Sequence, residues 1–276
     1  MTVVFQPLPA VIESIDAAVA DNHLFTFRLA GPMPIAPGQF VELSIPGVGG
    51  FPVSSAAHSV GETFQACIRR AGRVTSALYR LTEGAAVGIR GPYGRGFPMA
   101  DFAGRDVLLV AGGLGMAPLR ALLQALLAER ERVGEIILLY GSREPEAILF
   151  RGELESLAAA GQIKLRFSVD FATELPWSKE AWVCRIGLVT ELLHDLTFAA
   201  ERTVAAVCGP PALYGCVLED LARLGIDPQR IFATLERRMQ CGVGQCCHCV
   251  TAGVFVCSQG PVFSLAELRQ MPGAIG

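Results

Sequence analysis

The stretch Val107-Leu108-Leu109-Val110-Ala111-Gly112-Gly113-Leu114-Gly115-Met116-Ala117-Pro118 carries the sharpest structural signal in the chain. Consecutive apolar residues bounded by turn residues read as a short buried strand. A glycine-rich turn follows, then an apolar helix from Pro118 to about Arg130. Pro118 suits the first helical turn, where an amide donor is not needed. Glycines between a strand and a helix let the backbone approach a pyrophosphate, whose charge then meets the helix N-terminal dipole. A tight strand-to-helix turn without any ligand fits the same residues, so the neighbouring sequence has to decide.

C-terminal to this turn the same rhythm repeats. Ile136–Tyr140, Lys164–Val169 and Thr203–Val207 read as strands, and the segment from Gly152 to Ala159 reads as a helix. Strands alternating with helices predict a parallel, doubly wound α/β sheet. Two further strand ends carry glycine: Tyr140-Gly141-Ser142-Arg143 and Val207-Cys208-Gly209-Pro210-Pro211. Three such ends on one side of a parallel sheet predict a dinucleotide crevice. Its candidate binding residues are Gly113, Gly115, Pro118, Gly141, Arg143, Cys208, Gly209 and Pro210.

N-terminal to the turn the pattern differs. Leu24–Leu29, Phe40–Ile45 and Phe64–Arg69 show period-two character, separated by Gly31-Pro32, Pro37-Gly38 and Pro46-Gly47. Short strands at that spacing predict a small antiparallel β-barrel or sandwich. A helix is expected from Val74 to Leu81. Before it, Arg69-Arg70-Ala71-Gly72-Arg73-Val74-Thr75-Ser76 sets basic side chains, a glycine and two hydroxyls at a helix start, the makings of an anion site. A capped surface helix with a solvated basic face is the plainer alternative. Gly91-Pro92-Tyr93-Gly94-Arg95-Gly96-Phe97 reads as the domain linker, with an aromatic able to touch a ligand. The expected domains are therefore 1–100, 101–232 and 233–276.

Five of the nine cysteines fall between Cys241 and Cys257. Structural disulfides spread along a secreted chain, whereas a pile-up in one loop suits a metal centre in a reducing compartment. Cys241, Cys246, Cys249 and Cys257 give the spacing C-x4-C-x2-C-x7-C, whose first three positions match plant-type 2Fe–2S proteins. Gly242 and Gly244 let the backbone curl around the sulfides. A structural zinc site also takes four thiolates, but zinc loops use paired C-x2-C knuckles and only one is present. Cys247 is the spare thiol. A Rieske-like centre needs two histidines, and the loop has only His248. Cys67, Cys184 and Cys216 read as small buried hydrophobes.

Composition narrows the class. With 51% apolar and 18% charged residues, a disordered chain is excluded. A formal charge of −3 argues against nucleic acid or an anionic membrane as main partner. The longest apolar stretch, Val107 to Leu119, is too short to span a bilayer. Met1 to Ile15 has no basic residue ahead of its apolar positions, unlike a secretory signal. A cytoplasmic location is expected.

Pro37-Gly38-Gln39-Phe40, Pro52-Val53-Ser54, Gly72-Arg73-Val74-Thr75, Gly91-Pro92-Tyr93-Gly94, the Gly113–Pro118 turn, Cys208-Gly209-Pro210-Pro211 and the cysteine loop occur in that order. Together they resemble the ferredoxin–NADP reductase superfamily, and within it the flavin and iron–sulfur electron-transfer subunits of cytoplasmic hydrogenases, anaerobic sulfite reductases and dihydroorotate dehydrogenase. Leu235–Gly244 looks most like the hydrogenase and sulfite reductase branch, and the x7 spacing is short for the dihydroorotate branch.

The resemblance implies FAD in the barrel, NAD(H) or NADP(H) on the parallel sheet, and a 2Fe–2S cluster in a small C-terminal lobe. It implies an NAD(P)H-dependent oxidoreductase subunit serving the catalytic and iron–sulfur subunits of a larger redox complex. Pro52, Val53, Ser54, Ile68, Arg69, Gly72, Val74 and Thr75 would hold the flavin. Ser54, near flavin N5, and Cys208, beside the nicotinamide, are the catalytic candidates. Phe51 and Val53 stand where the family's flavin motif has Arg and Tyr, so phosphate binding shifts to Arg69, Arg70, Arg73 and backbone amides, and FMN stays open. A dihydroorotate dehydrogenase electron-transfer subunit is the alternative. A zinc-binding redox-sensing or structural subunit is a third reading.

Overall fold

The computed structural model describes residues 5–19, 21–59, 61–174, 179 and 181–275. Two units emerge. One comprises the chain up to Phe97 together with Arg120–Gln124 and Thr234–Val262; the other comprises Pro98–Leu119, Ala125–Ala233 and the chain from Phe263.

The first unit is built on strands β1 (Leu8–Val19), β2 (Asn22–Leu29), β3 (Phe40–Ile45), β4 (Gly49–Ser54), β5 (Thr63–Arg69) and β6 (Ala86–Tyr93), with helix α1 (Arg73–Leu78) between the last two. They form one antiparallel sheet in the order β4-β3-β6-β1-β2-β5. Phe25, Phe27, Phe64, Leu43, Leu78 and Ile89 are fully buried in a single core. Phe27 lies directly opposite Phe64 on the neighbouring strand, with ring centroids 5.9 Å apart. Such a cross-strand aromatic pair fixes register, because a one-residue slip would turn both rings outward. Among the described residues no pairing of β4 with β5 closes the sheet into a barrel. Pro52 sits on the edge strand β4, where its missing amide leaves no ladder bond unmade.

The first three residues of the expected linker at Gly91–Phe97 are strand. Gly91, Pro92 and Tyr93 complete β6, and Tyr93 pairs with Phe40 of β3. Glycine and proline, which punctuate loops elsewhere, mask the strand here.

The second unit contains α2 (Met99–Phe102), β7 (Asp106–Gly112), α3 (Met116–Ala128), β8 (Ile136–Ser142), α4 (Arg151–Ala159), β9 (Lys164–Val169), β10 (Trp182–Ile186), α5 (Glu191–His194), β11 (Thr203–Cys208), α6 (Pro211–Arg223) and β12 (Ile231–Thr234). Of the elements that follow, β13 (Val250–Thr251), β14 (Val254–Phe255) and α7 (Val256–Gln259) belong to the first unit, and β15 (Val262–Ser264) and α8 (Leu265–Leu268) come after them. The large sheet runs β10-β9-β8-β7-β11-β12-β15, with every pairing from β10 to β12 parallel. β7 and β11 are buried along almost their whole length, as strands covered on both faces must be. Winding reverses between them, which makes their carboxyl ends the switch point where such sheets bind ligands.

Helix α3 begins at Met116, two residues before the expected start, after a tight turn over Gly113–Gly115. Pro118 still falls in its first turn, where a missing amide costs no hydrogen bond. Cys67 and Cys184 are buried as expected, but Cys216 is exposed. It lies on α6 outside the face formed by Leu213, Tyr214, Val217, Leu218 and Leu221. Small apolar neighbours in sequence do not reveal which side of a helix a cysteine occupies. Among the described residues, no helix is long and apolar enough to cross a membrane.

Candidate redox sites

At the switch point of the parallel sheet two loops meet backbone to backbone. An added Cβ on Gly115 would lie 2.1 Å from the Cys208 carbonyl oxygen and 2.6 Å from the Gly209 nitrogen. A Cβ on Gly209 would meet the Gly112 Cα at 3.1 Å. Only glycines permit this approach. Gly113, by contrast, has positive φ of 51° and open space where a side chain would be. Its peptide is fixed from below by Tyr140, fully buried in β8, whose hydroxyl donates to the Gly113 carbonyl (3.1 Å) and accepts from the Leu149 amide (3.0 Å). Tyr214 holds the other loop, its hydroxyl accepting from the Gly209 amide at 3.1 Å. Both tyrosines escaped the sequence reading, since a tyrosine in an apolar strand or helix reads as core.

The remaining crevice candidates are placed differently. Cys208 is buried at the end of β11, and Pro210 caps α6. Gly141 makes room for Val189, whose Cβ would stand 2.8 Å from an added side chain, so its glycine is required by packing. Arg143 and Glu144 are both exposed just beyond β8.

In the first unit, Phe51, Pro52, Val53 and Ser54 lie along β4, all half-buried, with Ser54 opposite Phe40. Thr75 does not reach outward. Its hydroxyl accepts from the amides of Ala71 (3.0 Å) and Gly72 (2.9 Å), shaping the turn into α1. Gly72 is exposed with nothing near its missing side chain. The first-turn amides of α1 have no intrahelical acceptor by geometry. Of the three arginines, Arg73 donates to the Val48 carbonyl at 2.8 Å, and Arg70 lies 5.9 Å over the Tyr79 ring. Arg69 and Ile68 end β5, with Ile68 buried and Arg69 exposed. The segment after β4 is anchored by Arg120, which donates to the Ala56 carbonyl (2.7 Å) and the Gln65 side chain (3.1 Å).

The cysteine loop curls as its glycines require, with φ of 76° at Gly242 and 73° at Gly244. Amides point at its sulfurs. Val243, Gln245 and Cys246 donate to Cys241 Sγ at 3.3–3.4 Å, Gly244 to Cys257 Sγ at 3.2 Å and Cys257 to Cys249 Sγ at 3.5 Å. The thiols also meet side chain to side chain in two pairs, Cys241 with Cys246 and Cys249 with Cys257. The His248 amide, and then Cys241, hold the Cys246 thiol below its ordinary value. Burial, with the adjacent Cys249 adding, pushes Cys257 up to about 12. Two thiolate pairs curled within amide donors fit a two-iron cluster, one pair for each iron. Cys247 is exposed with φ of 60°, and the exposed His248 turns its Nδ1 to the Cys246 carbonyl.

These sites define a class: a flavin and nicotinamide oxidoreductase with an iron–sulfur centre. Residues 109–219 match the oxidoreductase NAD-binding domain, and residues 236–269 match the iron–sulfur cluster binding domain of dihydroorotate dehydrogenase B. The sulfhydrogenase 2 gamma subunit of Pyrococcus furiosus is 39% identical over 96% of this chain and 91% of that protein. The probable dihydroorotate dehydrogenase B electron transfer subunit of the same organism is 32% identical over 90% and 87%. The chain belongs to this family of electron-transfer subunits. The same fold appears in the NADH-dependent reduced ferredoxin-NADP oxidoreductase, with a TM-score of 0.75, 21% identity, and coverage of 97% of this chain and 91% of that one. It appears again in the FAD/NAD-binding domain of nitric oxide dioxygenase from Vibrio cholerae, with a TM-score of 0.70, 21% identity, and coverage of 83% and 98%.

Proposed function

We propose that this protein carries electrons between NAD(H) and a catalytic partner subunit of the hydrogenase type, through FAD and a 2Fe–2S cluster. When bound, the flavin exchanges a hydride with the nicotinamide and single electrons with the cluster, because nicotinamide moves two electrons and an iron–sulfur centre moves one. The observation that carries the reading is the cysteine loop, with two thiol pairs inside a ring of amide donors.

The rest of the chain supplies binding and orientation. Residues 1–100 form the flavin domain, 101–232 the nicotinamide domain and 233–276 the cluster lobe. Gly113 and the first turn of α3, with Pro118, receive the nicotinamide pyrophosphate, and Gly115 and Gly209 hold the loops close enough to do so. Pro210 and Gly141 border that crevice. Ser54 stands at the flavin N5, flanked by Pro52 and Val53, and Cys208 beside the nicotinamide. Val74 and Thr75 offer amides to the flavin phosphates, Gly72 opens the turn that presents them, and Ile68 and Arg69 border them. Glu144 disfavours a 2′-phosphate that Arg143 would attract, which inclines the site to NAD(H) over NADP(H). The identity of 39% to a sulfhydrogenase gamma subunit, against 32% to a dihydroorotate dehydrogenase subunit, favours the hydrogenase-type partner. The match of residues 236–269 keeps the dihydroorotate-type partner as the second reading. A cytoplasmic location suits a reduced cysteine-rich loop.

The test is a visible absorption spectrum of anaerobically purified protein before and after NADH. Flavin bands near ~450 nm over a cluster background, bleached by NADH, are expected from a flavin with 2Fe–2S. Response to NADPH alone reverses the cofactor preference. Colourless protein containing zinc refutes the electron-transfer reading. Co-purification then separates a hydrogenase-type from a dihydroorotate-type partner.

A further inference from the structure

Tyr93 occupies an unusual place. It is the last residue of β6, opposite Phe40 of β3, with ring centroids 5.7 Å apart. Its ring also lies against the cysteine loop. An added Cβ on Gly242 would come within 2.6 Å of Tyr93 Cδ2 and 2.7 Å of Cε2. Positive φ and this contact both demand glycine immediately after Cys241. The loop is clamped to the same strand from the other side by Arg90, which pairs with Glu42 and donates to the Gln240 carbonyl at 3.1 Å. The residues on either side of Cys241 are therefore both held by the end of β6.

The Tyr93 hydroxyl is fully buried there and has no hydrogen-bond partner among the described residues. A buried hydroxyl left unpaired is unfavourable, and such groups in folded proteins nearly always find an acceptor. Cys241 already accepts three amides. Burial raises the Tyr93 phenol above its ordinary value against the opposing pull of Arg90.

We propose that the Tyr93 hydroxyl donates a hydrogen bond to a sulfur of the cluster at its Cys241 end, and so sets the reduction potential of that cluster. Tyr93 acts as a positioning residue, not a catalytic one. Hydrogen bonds to cluster sulfurs stabilise the more negative, reduced state and raise the potential. The proposal rests on the reading of the loop as a 2Fe–2S site.

The experiment is an anaerobic redox titration of the full-length protein, following the reduced cluster by electron paramagnetic resonance and the flavin by absorbance. Tyr93→Phe keeps the ring on Gly242 and removes only the donor. The cluster potential should fall by an amount equivalent to a threefold to tenfold shift in its equilibrium with a one-electron mediator, where tenfold is ~59 mV. The flavin potentials should stay put. Should Tyr93→Phe assemble too little cluster, 3-fluorotyrosine at position 93, a stronger donor of nearly the same shape, should raise the cluster potential. An unmoved cluster potential in either variant, or movement of the flavin alone, overturns the proposal. Wild-type protein without an iron–sulfur signal would instead overturn the cluster reading beneath it.

Discussion

Gly115→Ala tests the meeting of the two loops at the switch point. Gly115 has φ −59° and ψ −15°, which alanine adopts freely, so the substitution carries no backbone strain. Its whole effect is steric. The new methyl would lie 2.1 Å from the Cys208 carbonyl oxygen, and contacts under 3.0 Å are essentially absent from real proteins. The loops must part by about 0.9 Å, and backbone cannot turn aside as a side chain can. Overpacking costs about 1–3 kcal/mol, and a backbone clash belongs at the upper end. For a protein of this size that is a fall in melting temperature of ~6–12 °C. Displacing binding amides by nearly 1 Å should also slow flavin reduction by NADH, by a factor on the order of 100. Two other glycines calibrate the result. Gly113→Ala has open space but positive φ, and should cost about 1 kcal/mol. Gly152→Ala, in α4 with nothing within 4 Å, should be neutral or stabilising by about 0.5 kcal/mol. Thermal melts and stopped-flow reduction of the three variants decide. Gly115→Ala melting within a degree or two of wild type, with unchanged reduction, would refute the backbone contact.

Serine at Cys241, Cys246, Cys249 or Cys257 should each abolish the cluster, whereas Cys247→Ser should keep it, because Cys247 is exposed; iron and sulfide content with the visible spectrum would tell. Tyr140→Phe leaves the buried Leu149 amide and Gly113 carbonyl without the hydroxyl that joins them, and should cost about 1–3 kcal/mol and weaken NADH binding, read by thermal melt and titration calorimetry. Burial, eased only partly by Arg120 near Cys67 and by Arg151 near Cys184, pushes these thiols to about 12 and about 11. Their thiolate fractions at pH 8 are then on the order of 10⁻⁴ and 10⁻³, so iodoacetamide should label Cys216 and spare both, as peptide mass spectrometry can show. Their folded values lie above the unfolded 9.0, so the stability they contribute is intact below pH 9 and is lost as pH rises through about 11 to 12. A melting temperature flat across that window would contradict this.

The parallel sheet was legible because β7, β8 and β11 are buried along most of their length and read as apolar runs, while β9, with Lys164 exposed and Leu165 and Phe167 buried, shows alternation. The cysteine loop was legible because four thiolates at fixed spacing have few chemical uses. β1 and β4 were not. β1 carries exposed Leu8 and Val11 among buried Ala10 and Ile12, and its register shifts twice against β2, so its alternation is broken. β4 contains Gly49, Gly50 and Pro52, residues that signal turns, yet as an edge strand it tolerates them. Gly141 was read for a ligand and is required by Val189, a neighbour from a distant loop that no local pattern exposes. Thr75 was likewise read toward a phosphate, while its hydroxyl closes the turn beside it.

The placing of the arginines near α1 bears on how a flavin phosphate is held without the family's usual arginine on β4. Phe51 and Val53 turn β4 into packing against the core, where both contribute to the apolar cluster. Arg73, next in sequence to the expected phosphate turn, is drawn back to the Val48 carbonyl at the β3–β4 turn, and Arg70 lies over the Tyr79 ring. Each of these cations has an intramolecular task, and moving either to a ligand would break a contact that shapes the sheet. Backbone amides at the start of α1 carry no such competing task, because helix geometry leaves them without acceptors. Thr75 orients them by fixing Ala71 and Gly72. On the proposed flavin site, the turn at Gly72 would supply preorganised backbone dipoles in place of a mobile guanidinium, and Ser54 would be the polar side chain that β4 offers the ring.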